Sequence, residues 1–228
     1  SYWIEKYWKK KSTILFPPVD IESFAPDKNI AREKAILSVG RFFPEHHNKK
    51  QYELAAAFID MVEKNPEDLG GYTLYLAGGL EDRPGHGEYV DSIRKMSKRY
   101  PVKVLTNISF SRLAELFSKA SIFWHASGLG EDEQSHPEKF EHFGITTVEA
   151  MSAGCIPVVI EKGGQKEIVT DGIDGVLFRD LEELKEKTLD IIKGKVAEDA
   201  LRRKALASCR KFSNERFAQD LLSIVKDV

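Results

Sequence analysis

Short apolar segments alternate with amphipathic segments along most of the chain, and this alternation restricts its fold more than any other feature. Residues 35–39 and 156–160 are apolar, largely β-branched runs, as expected of strands buried on both faces. Between such runs, apolar residues recur at helical spacing, as Leu54, Phe58 and Met61 do. Strands that alternate with helices form right-handed βαβ units. We therefore expect an α/β fold of three layers, α/β/α, around a mostly parallel sheet.

The same pattern gives approximate boundaries for the individual elements. Strands are predicted at residues 35–39, 72–77, 102–105, 121–125, 156–160 and 175–178. Helices are predicted from about residue 54 to 64, at 88–99, around 113–117, at 146–153 and in three pieces from 181 onward. Ile14, Leu15 and Phe16 suggest one further strand, followed by the rigid pair Pro17-Pro18.

Composition excludes several classes of protein. The 228 residues include 34 Lys and Arg against 36 Asp and Glu, so no overall positive field favours nucleic acid as a partner. No run approaches the roughly 18 apolar residues of a membrane span. Two cysteines cannot build a disulfide framework, which indicates a reducing, cytoplasmic compartment. Because the chain begins with Ser1 and no signal peptide, we expect it to be part of a longer protein.

Ligands of parallel α/β sheets bind at the carboxyl ends of the strands. That rule selects the loops after Gly40, Ala77, Leu105 and His125. The turn Gly40-Arg41-Phe42-Phe43 lacks the Gly-x-Gly-x-x-Gly dinucleotide fingerprint, and the chain contains no Gly-Lys-Ser/Thr phosphate loop. A bound nucleotide would therefore need another way to hold its phosphates.

Residues 141–154 supply a candidate anion site. Gly144 precedes a predicted helix, whose first amides (Ile145, Thr146, Thr147) and dipole would attract a phosphate. Glu141 lies before this turn and Glu149 is expected in the first helical turn, where both carboxylates could accept hydrogen bonds from sugar hydroxyls. Alternatively, Thr146 and Glu149 form a capping box with no role in binding.

This stretch closely resembles the signature of the retaining family-4 glycosyltransferases, Glu-x-Phe-Gly-x-x-x-x-Glu-Ala-x-Ala-x-Gly-x-Pro-Val-Val. Shorter segments resemble other loops of that family. The matching segments are Glu141 to Ala150, Ala153-Gly154, Pro157-Val158-Val159, Gly163-Gly164 with Glu167, Ser38 to Arg41 with a downstream lysine, and Leu76 to Gly79. The resemblance extends from about residue 34 to 228.

The resemblance implies the C-terminal, donor-binding half of the GT-B architecture, a Rossmann-like domain. By position it implies that Glu149 binds the ribose, that Glu141 contacts the transferred sugar, and that Arg41 and Lys49 contact the diphosphate. It gives Glu141, Arg41 and Lys49 as catalytic residues and needs neither metal nor cofactor, since the nucleoside-diphosphate sugar is a substrate. The candidate donor-binding residues are Gly40, Lys50, Gly78, Asn107, Ile108, His125, Phe143, Gly144, Ile145, Thr146, Thr147 and Glu149.

Several positions depart from the family pattern. Lys50 stands where the family usually has Gly, so it competes with Lys49 for the phosphate. The polar insertion 126–140 separates Glu141 from the preceding strand by more residues than in most family members. It is either a mobile lid without apolar anchors or a passive loop. His125 either lines the sugar pocket or is a core histidine, and Asn107 and Ile108 are expected to face the base. The pair His46-His47 and the acids of the insertion lack metal-ligand spacing.

The resulting expectation is a single C-terminal nucleotide-sugar-binding domain across residues 1–228, with an inter-domain lead-in at 1–33 and a terminal helix at 210–228. It would bind the donor for a retaining hexosyl or glycosyl transfer and be inactive without the N-terminal acceptor domain. The full-length enzyme would be cytoplasmic, either free or at the cytoplasmic face of a membrane. The alternatives are an epimerase of the same architecture and a non-catalytic carbohydrate- or protein-binding module.

Overall fold

A six-stranded parallel sheet forms the centre of the computed structural model, which describes residues 2–27, 30–45 and 47–226. The strands follow the spatial order β3-β2-β1-β4-β5-β6. Leu37 of β1 pairs with Tyr75 of β2 on one side and with Phe123 of β4 on the other. The strands are Glu33–Val39 (β1), Thr73–Gly78 (β2), Val102–Thr106 (β3), Ala120–His125 (β4), Ile156–Ile160 (β5) and Val176–Phe178 (β6).

Helices cover both faces of the sheet, which confirms the predicted three-layer α/β/α class. Predicted and observed boundaries differ by a few residues; the helix expected at 88–99, for example, spans His86–Met96. The α-helices are Tyr2–Trp8 (α1), Gln51–Lys64 (α2), His86–Met96 (α3), Phe110–Lys119 (α4), Ile145–Ser152 (α5), Gln165–Ile168 (α6), Leu181–Ile192 (α7), Glu198–Ser208 (α8) and Asn214–Lys226 (α9), with short 3-10 helices at Pro137–Lys139 and Cys209–Phe212.

Alternate residues of each strand enter two separate cores. Ile36 and Trp124 pack with Phe58 of α2 on one face, whereas Leu37 and Phe123 join the opposite core. Trp124 is fully buried and donates its indole N–H to Thr188 Oγ1 at 3.0 Å, as expected of a core residue. A sheet buried on both faces explains why its strands are continuous apolar runs.

The strand predicted at Ile14, Leu15 and Phe16 is absent from the described residues, and that prediction is wrong. Pro17 and Pro18 have no amide N–H to donate to a ladder. The segment is held instead by side chains, because the Phe16 ring packs edge-on against Phe212, with 5.2 Å between centroids. Only an isolated parallel bridge joins Val19 to Ser213 in the described part of this region.

No helix among the described residues is both long and apolar enough to cross a membrane.

Candidate functional site

The strand order changes direction between β1 and β4, and the candidate residues gather at that switch point. Gly40 follows β1 and His125 ends β4, so both lie at the carboxyl edge of neighbouring strands. In parallel α/β sheets this crevice is the usual ligand site. Glu141 and Lys49 also lie at this crevice, because Glu141 contacts both His125 and Lys49.

Glu141 accepts two hydrogen bonds at one oxygen. Lys49 Nζ donates to Glu141 Oε2 at 2.6 Å, and His125 Nε2 lies 3.3 Å from the same atom. Burial acts to raise the pKa of Glu141. The hydrogen bond from His125 and the positive charge of Lys49 outweigh this effect, so the pKa of Glu141 lies well below its ordinary value. Glu141 is therefore an ionised carboxylate at neutral pH.

His125 is almost completely buried. Its role in lining the sugar pocket remains a prediction. Burial lowers the pKa of His125 more than Glu141 raises it, so the imidazole is neutral at neutral pH and Lys49 supplies the positive charge of the cluster. The bond to ionised Glu141 requires the proton on Nε2. His125 Nδ1 then has no hydrogen-bond partner among the described residues.

The two candidate lysines are held by different carboxylates. Lys49 pairs with Glu141, and its side chain passes against Gly40. Lys50 has a left-handed backbone (φ 59°) and pairs instead with Glu131 of the insertion at 3.2 Å. Adjacent in sequence, they project in different directions: Lys49 lies at the crevice and Lys50 faces the insertion.

Arg41 lies beyond the end of β1 with an exposed guanidinium. It packs 4.5 Å from the Phe43 ring centroid, and its Nη1 lies 3.7 Å from Glu81. An exposed arginine held so loosely is available to an anion. The turn before it comes very close to β2, because a Cβ at Gly78 would overlap the carbonyl of Gly40. Gly78 therefore permits this approach and has no side chain with which to bind a ligand.

Gln51 supports the same turn, and sequence reasoning missed it. Its side chain is buried and donates from Nε2 to the carbonyls of both Gly40 and Arg41 at 3.1 Å. Tyr89 completes the arrangement with its hydroxyl 3.2 Å from Gln51 Oε1, and burial raises the pKa of Tyr89 to about 12. A Gln at the start of a helix is usually a surface residue. Only its position directly after Lys49-Lys50 could have suggested that it supports the turn.

Helix α5 begins at Ile145, one residue before the predicted start, and its cap is different from the predicted one. Gly144 is the N-cap with φ 116°, a conformation that favours glycine, and no side chain caps the helix. The Thr146–Glu149 capping box is therefore wrong, because Glu149 is the fifth helical residue and lies beyond the first turn. The amides of Ile145 and Thr146 point out of the helix start, where an anion would be stabilised.

The side chains around this helix start pack inward. Thr147 is buried and donates its hydroxyl to Gln165 Oε1 at 2.8 Å, while Phe143 packs its ring 5.2 Å from Phe212. The Gln165 amide lies where a Cβ of Gly144 would be, and its Nε2 has no partner within the described residues. Gln165 was also missed; its position directly after Gly163-Gly164 was the available signal.

Glu149 has a different environment from Glu141. No hydrogen bond or ion pair reaches its carboxylate from the described part of the chain. Burial, with a smaller effect from the negative charge of Asp20, raises its pKa to about 7. An acid held in this way without a partner is characteristic of a ligand-binding position rather than of a structural ion pair.

Asn107, after β3, uses its side chain within the protein. Its Oδ1 accepts from the Leu80 amide at 2.8 Å and its Nδ2 donates to the Leu80 carbonyl at 3.1 Å. The residue itself has φ 53°. Its amide thus ties the loops after β2 and β3 together, and the neighbouring Ile108 packs against the core.

The insertion was predicted to have no apolar anchor, and that prediction is wrong because Phe140 anchors it. Phe140 is buried and lies so close to Gly128 that a Cβ there would overlap its ring. Glu131 also pairs with Lys139 at 2.8 Å. Across the described residues no group of three acidic, histidine or cysteine side chains is arranged to hold a metal. His46 of the pair His46-His47 lies outside the described residues.

Comparison with known proteins gives a family. Residues 20–208 match the family model described as Glycosyl transferases group 1. The chain is 30% identical over 236 residues to GDP-Man:Man(3)GlcNAc(2)-PP-Dol alpha-1,2-mannosyltransferase of Dictyostelium discoideum, covering 98% of this chain and 44% of that protein. It is also 31% identical over 199 residues to trehalose synthase of Pyrococcus horikoshii, covering 81% and 45%. The chain thus spans less than half of the length of these relatives.

Solved structures share the fold at low identity. A glycosyltransferase from Rickettsia africae has a TM-score of 0.77 at 16% identity, covering 99% of this chain and 60% of that one. The C-terminal domain of a group 1 glycosyl transferase from Francisella tularensis has a TM-score of 0.66 at 16% identity, covering 86% of this chain and 99% of that domain. The solved structures show that the chain has the Rossmann-like fold of GT-B enzymes. The match of residues 20–208 to the family model shows that the chain belongs to the group 1 glycosyl transferases.

Proposed function

We propose that this chain binds a nucleoside-diphosphate sugar and forms the donor-binding half of a retaining glycosyltransferase. The observation that carries the proposal is the contact of Lys49, Glu141 and His125 at the β1–β4 crevice, beside the start of α5. This crevice combines an anion site, which suits the diphosphate of a nucleotide sugar, with an ionised carboxylate, which suits the hydroxyls of its sugar. This crevice would bind the donor.

We assign the position of the diphosphate from the positively charged side chains and free amides around the crevice. Arg41 is exposed and Lys49 lies at the crevice, while Ile145 and Thr146 offer amides at the helix start. When the sugar–phosphate bond breaks, negative charge grows on the departing nucleoside diphosphate. Fixed cations and amide dipoles stabilise such charge, so this chemistry needs no metal or cofactor at this site.

The sugar and the ribose would meet different carboxylates. Within the described residues both hydrogen bonds to Glu141 use Oε2, which leaves Oε1 to accept from a hydroxyl of the transferred sugar. Glu149, with no partner of its own in the described chain, would accept hydrogen bonds from the ribose. The base would lie against the backbone at Asn107 and Ile108.

The identity of the donor is suggested by the relatives. Several of them, including those of Dictyostelium discoideum and Homo sapiens, are named as enzymes that use GDP-Man and a dolichol-linked acceptor. GDP-mannose is therefore the first donor to test. We place the acceptor site in an N-terminal domain of a longer protein that works in the cytoplasm at a membrane surface. The comparisons support neither the epimerase nor the simple binding module.

Calorimetry with GDP, UDP, ADP and their sugars tests this function directly. We expect one nucleoside diphosphate to bind the parent chain and Arg41→Ala to weaken it while reducing the salt dependence of binding. Without the rest of the active site the chain should transfer no sugar, because it neither orients an acceptor nor excludes water. Failure of every nucleotide to bind would overturn the proposal, and robust transfer by this chain would overturn the half-enzyme assignment.

A further inference from the structure

The insertion 126–140 is fastened to the protein through Glu131. Its two carboxylate oxygens accept from Lys50 at 3.2 Å and from Lys139 at 2.8 Å, and its backbone carbonyl accepts from Lys162 at 2.7 Å. Glu131 and Lys50 are each about one-fifth exposed, so the pair is shielded more than an ordinary surface ion pair. Glu131 therefore links the start of α2 to the chain after β5.

Glu133 extends this link to residues 163–166, which comprise the end of the loop after β5 and the start of α6 and are called the loop at 163–166 below. Its Oε1 accepts from the Gly163 amide at 3.2 Å, and its Oε2 lies 3.2 Å from Lys166 Nζ. The same loop contacts the candidate site, because the Gly164 amide donates to the Glu141 carbonyl at 2.8 Å. A continuous series of contacts thus runs from the insertion, through this loop, to the backbone of Glu141.

Apolar packing reinforces these polar contacts. Phe140 is buried, fills the space at Gly128, and its Cβ comes close to Gly163. The insertion and the loop at 163–166 also share the walls of a cavity of about 830 Å³. Its lining includes Glu141, Gly163 and Gly164 together with Glu133, Pro137 and Phe140 of the insertion.

We propose that Glu131 and Glu133 are positioning residues, which hold the loop at 163–166 against Glu141 and so shape the cavity that receives the transferred sugar. The inference rests on the proposed donor site. The anionic end of the donor would lie at Arg41, Lys49 and α5. The cavity lining includes the carboxylates of Glu133, Glu141 and Glu167 beside Lys166, and these groups suit the hydroxyls of a neutral sugar. The insertion is then a fixed wall of the donor site and not a mobile lid.

The double variant Glu131→Gln/Glu133→Gln tests this role. It removes both negative charges and preserves side-chain size, so Lys50, Lys139 and Lys166 lose their ion pairs with the insertion while Arg41 and Lys49 are untouched. We expect the affinity for GDP-mannose to fall about tenfold and that for GDP to change less than about twofold in calorimetry. Amides 163–168 should exchange about ten times faster with deuterium. Glu138→Gln, an exposed position of the same insertion, is the matched control and should behave as the parent.

The possible outcomes separate the two proposals. Equal weakening of GDP and GDP-mannose, or unchanged affinity for GDP-mannose, would overturn the positioning role while GDP binding by the parent upholds the donor site. Unchanged exchange at 163–168 would also overturn it. If the parent binds no nucleotide of the panel, the proposed function fails and this inference fails with it. Lys50→Met, which removes the ion pair between the start of α2 and Glu131, should reproduce the faster exchange at 163–168.

Discussion

Glu141 and Glu149 belong to one sequence signature eight positions apart, yet the structure gives them opposite environments. Glu141 contacts Lys49 and His125, and its pKa lies below the ordinary value. Glu149 has no such partner in the described chain, and burial raises its pKa to about 7. Two identical side chains thus acquire different protonation behaviour from their surroundings alone. The first is pre-organised as an anion, whereas the second is available to a donor of hydrogen bonds.

The largest expected effect comes from removing the cation beside Glu141. Lys49→Met should lower nucleoside-diphosphate affinity by about 10- to 100-fold, because a charge-assisted hydrogen bond contributes about 1.5–3 kcal/mol. Lys50→Met is the matched control, since Lys50 faces Glu131 of the insertion and not the crevice. Calorimetry with GDP compares them. Equal losses in both variants would contradict the assignment of Lys49 to the phosphate.

Stability should respond with opposite signs at the two glutamates. Glu141→Gln leaves the Lys49 ammonium, only 18% exposed, without its counter-charge and should cost about 1–3 kcal/mol at neutral pH. Glu149→Gln removes an acid that is destabilising when ionised in the folded chain and should add on the order of 1–2 kcal/mol. Urea unfolding at pH 7.5 measures both. A loss of stability in Glu149→Gln would indicate a structural partner for that carboxylate.

The pH dependence of these effects follows from the direction of each shift. The depressed pKa of Glu141 gives stability that is present above its unfolded-state pKa and is lost as pH falls through the folded value. The raised pKa of Glu149 acts in the other direction: its penalty appears as pH rises above the unfolded-state value and is complete only above about 7. The advantage of Glu149→Gln should therefore disappear near pH 4.

The sequence predicted the sheet well and the environments of the two glutamates poorly. Apolar runs such as 156–160 define buried strands locally, and the signature located both carboxylates at one edge. Which lysine faces Glu141 depends on the left-handed turn at Lys50, and the support from Gln51 depends on packing between distant segments. Thr146 and Glu149 have the spacing of a capping box, but that prediction is wrong because the N-cap is Gly144, two residues before Thr146.

Nucleotide binding should itself depend on the protonation of Glu149. Ribose hydroxyls donate to the ionised carboxylate, so a protonated Glu149 must first lose its proton. With a pKa of about 7, affinity should fall about tenfold between pH 8 and pH 6. Glu149→Gln should bind more weakly, by about tenfold at pH 8, and its affinity should hardly vary over this range. A parent profile that is flat between pH 6 and 8 would count against the ribose assignment.

The smallest expected effect comes from Asp20, whose negative charge adds to the raised pKa of Glu149. Asp20 is exposed and accepts from the amide and hydroxyl of Ser23, and Asn can still accept from the amide. Asp20→Asn should therefore shift the midpoint of the pH profile of GDP binding downward by about 0.2–0.5 units at low salt, because it removes one like charge. At about 0.5 M salt the difference between Asp20→Asn and the parent should shrink, since the field of an exposed charge is screened within a few ångströms there. Asp82→Asn removes an exposed acid from the loop after β2 and serves as the control for net charge. If Asp82→Asn moves the midpoint as far as Asp20→Asn does, the effect belongs to the overall charge of the chain, and the specific coupling of Asp20 to Glu149 is wrong.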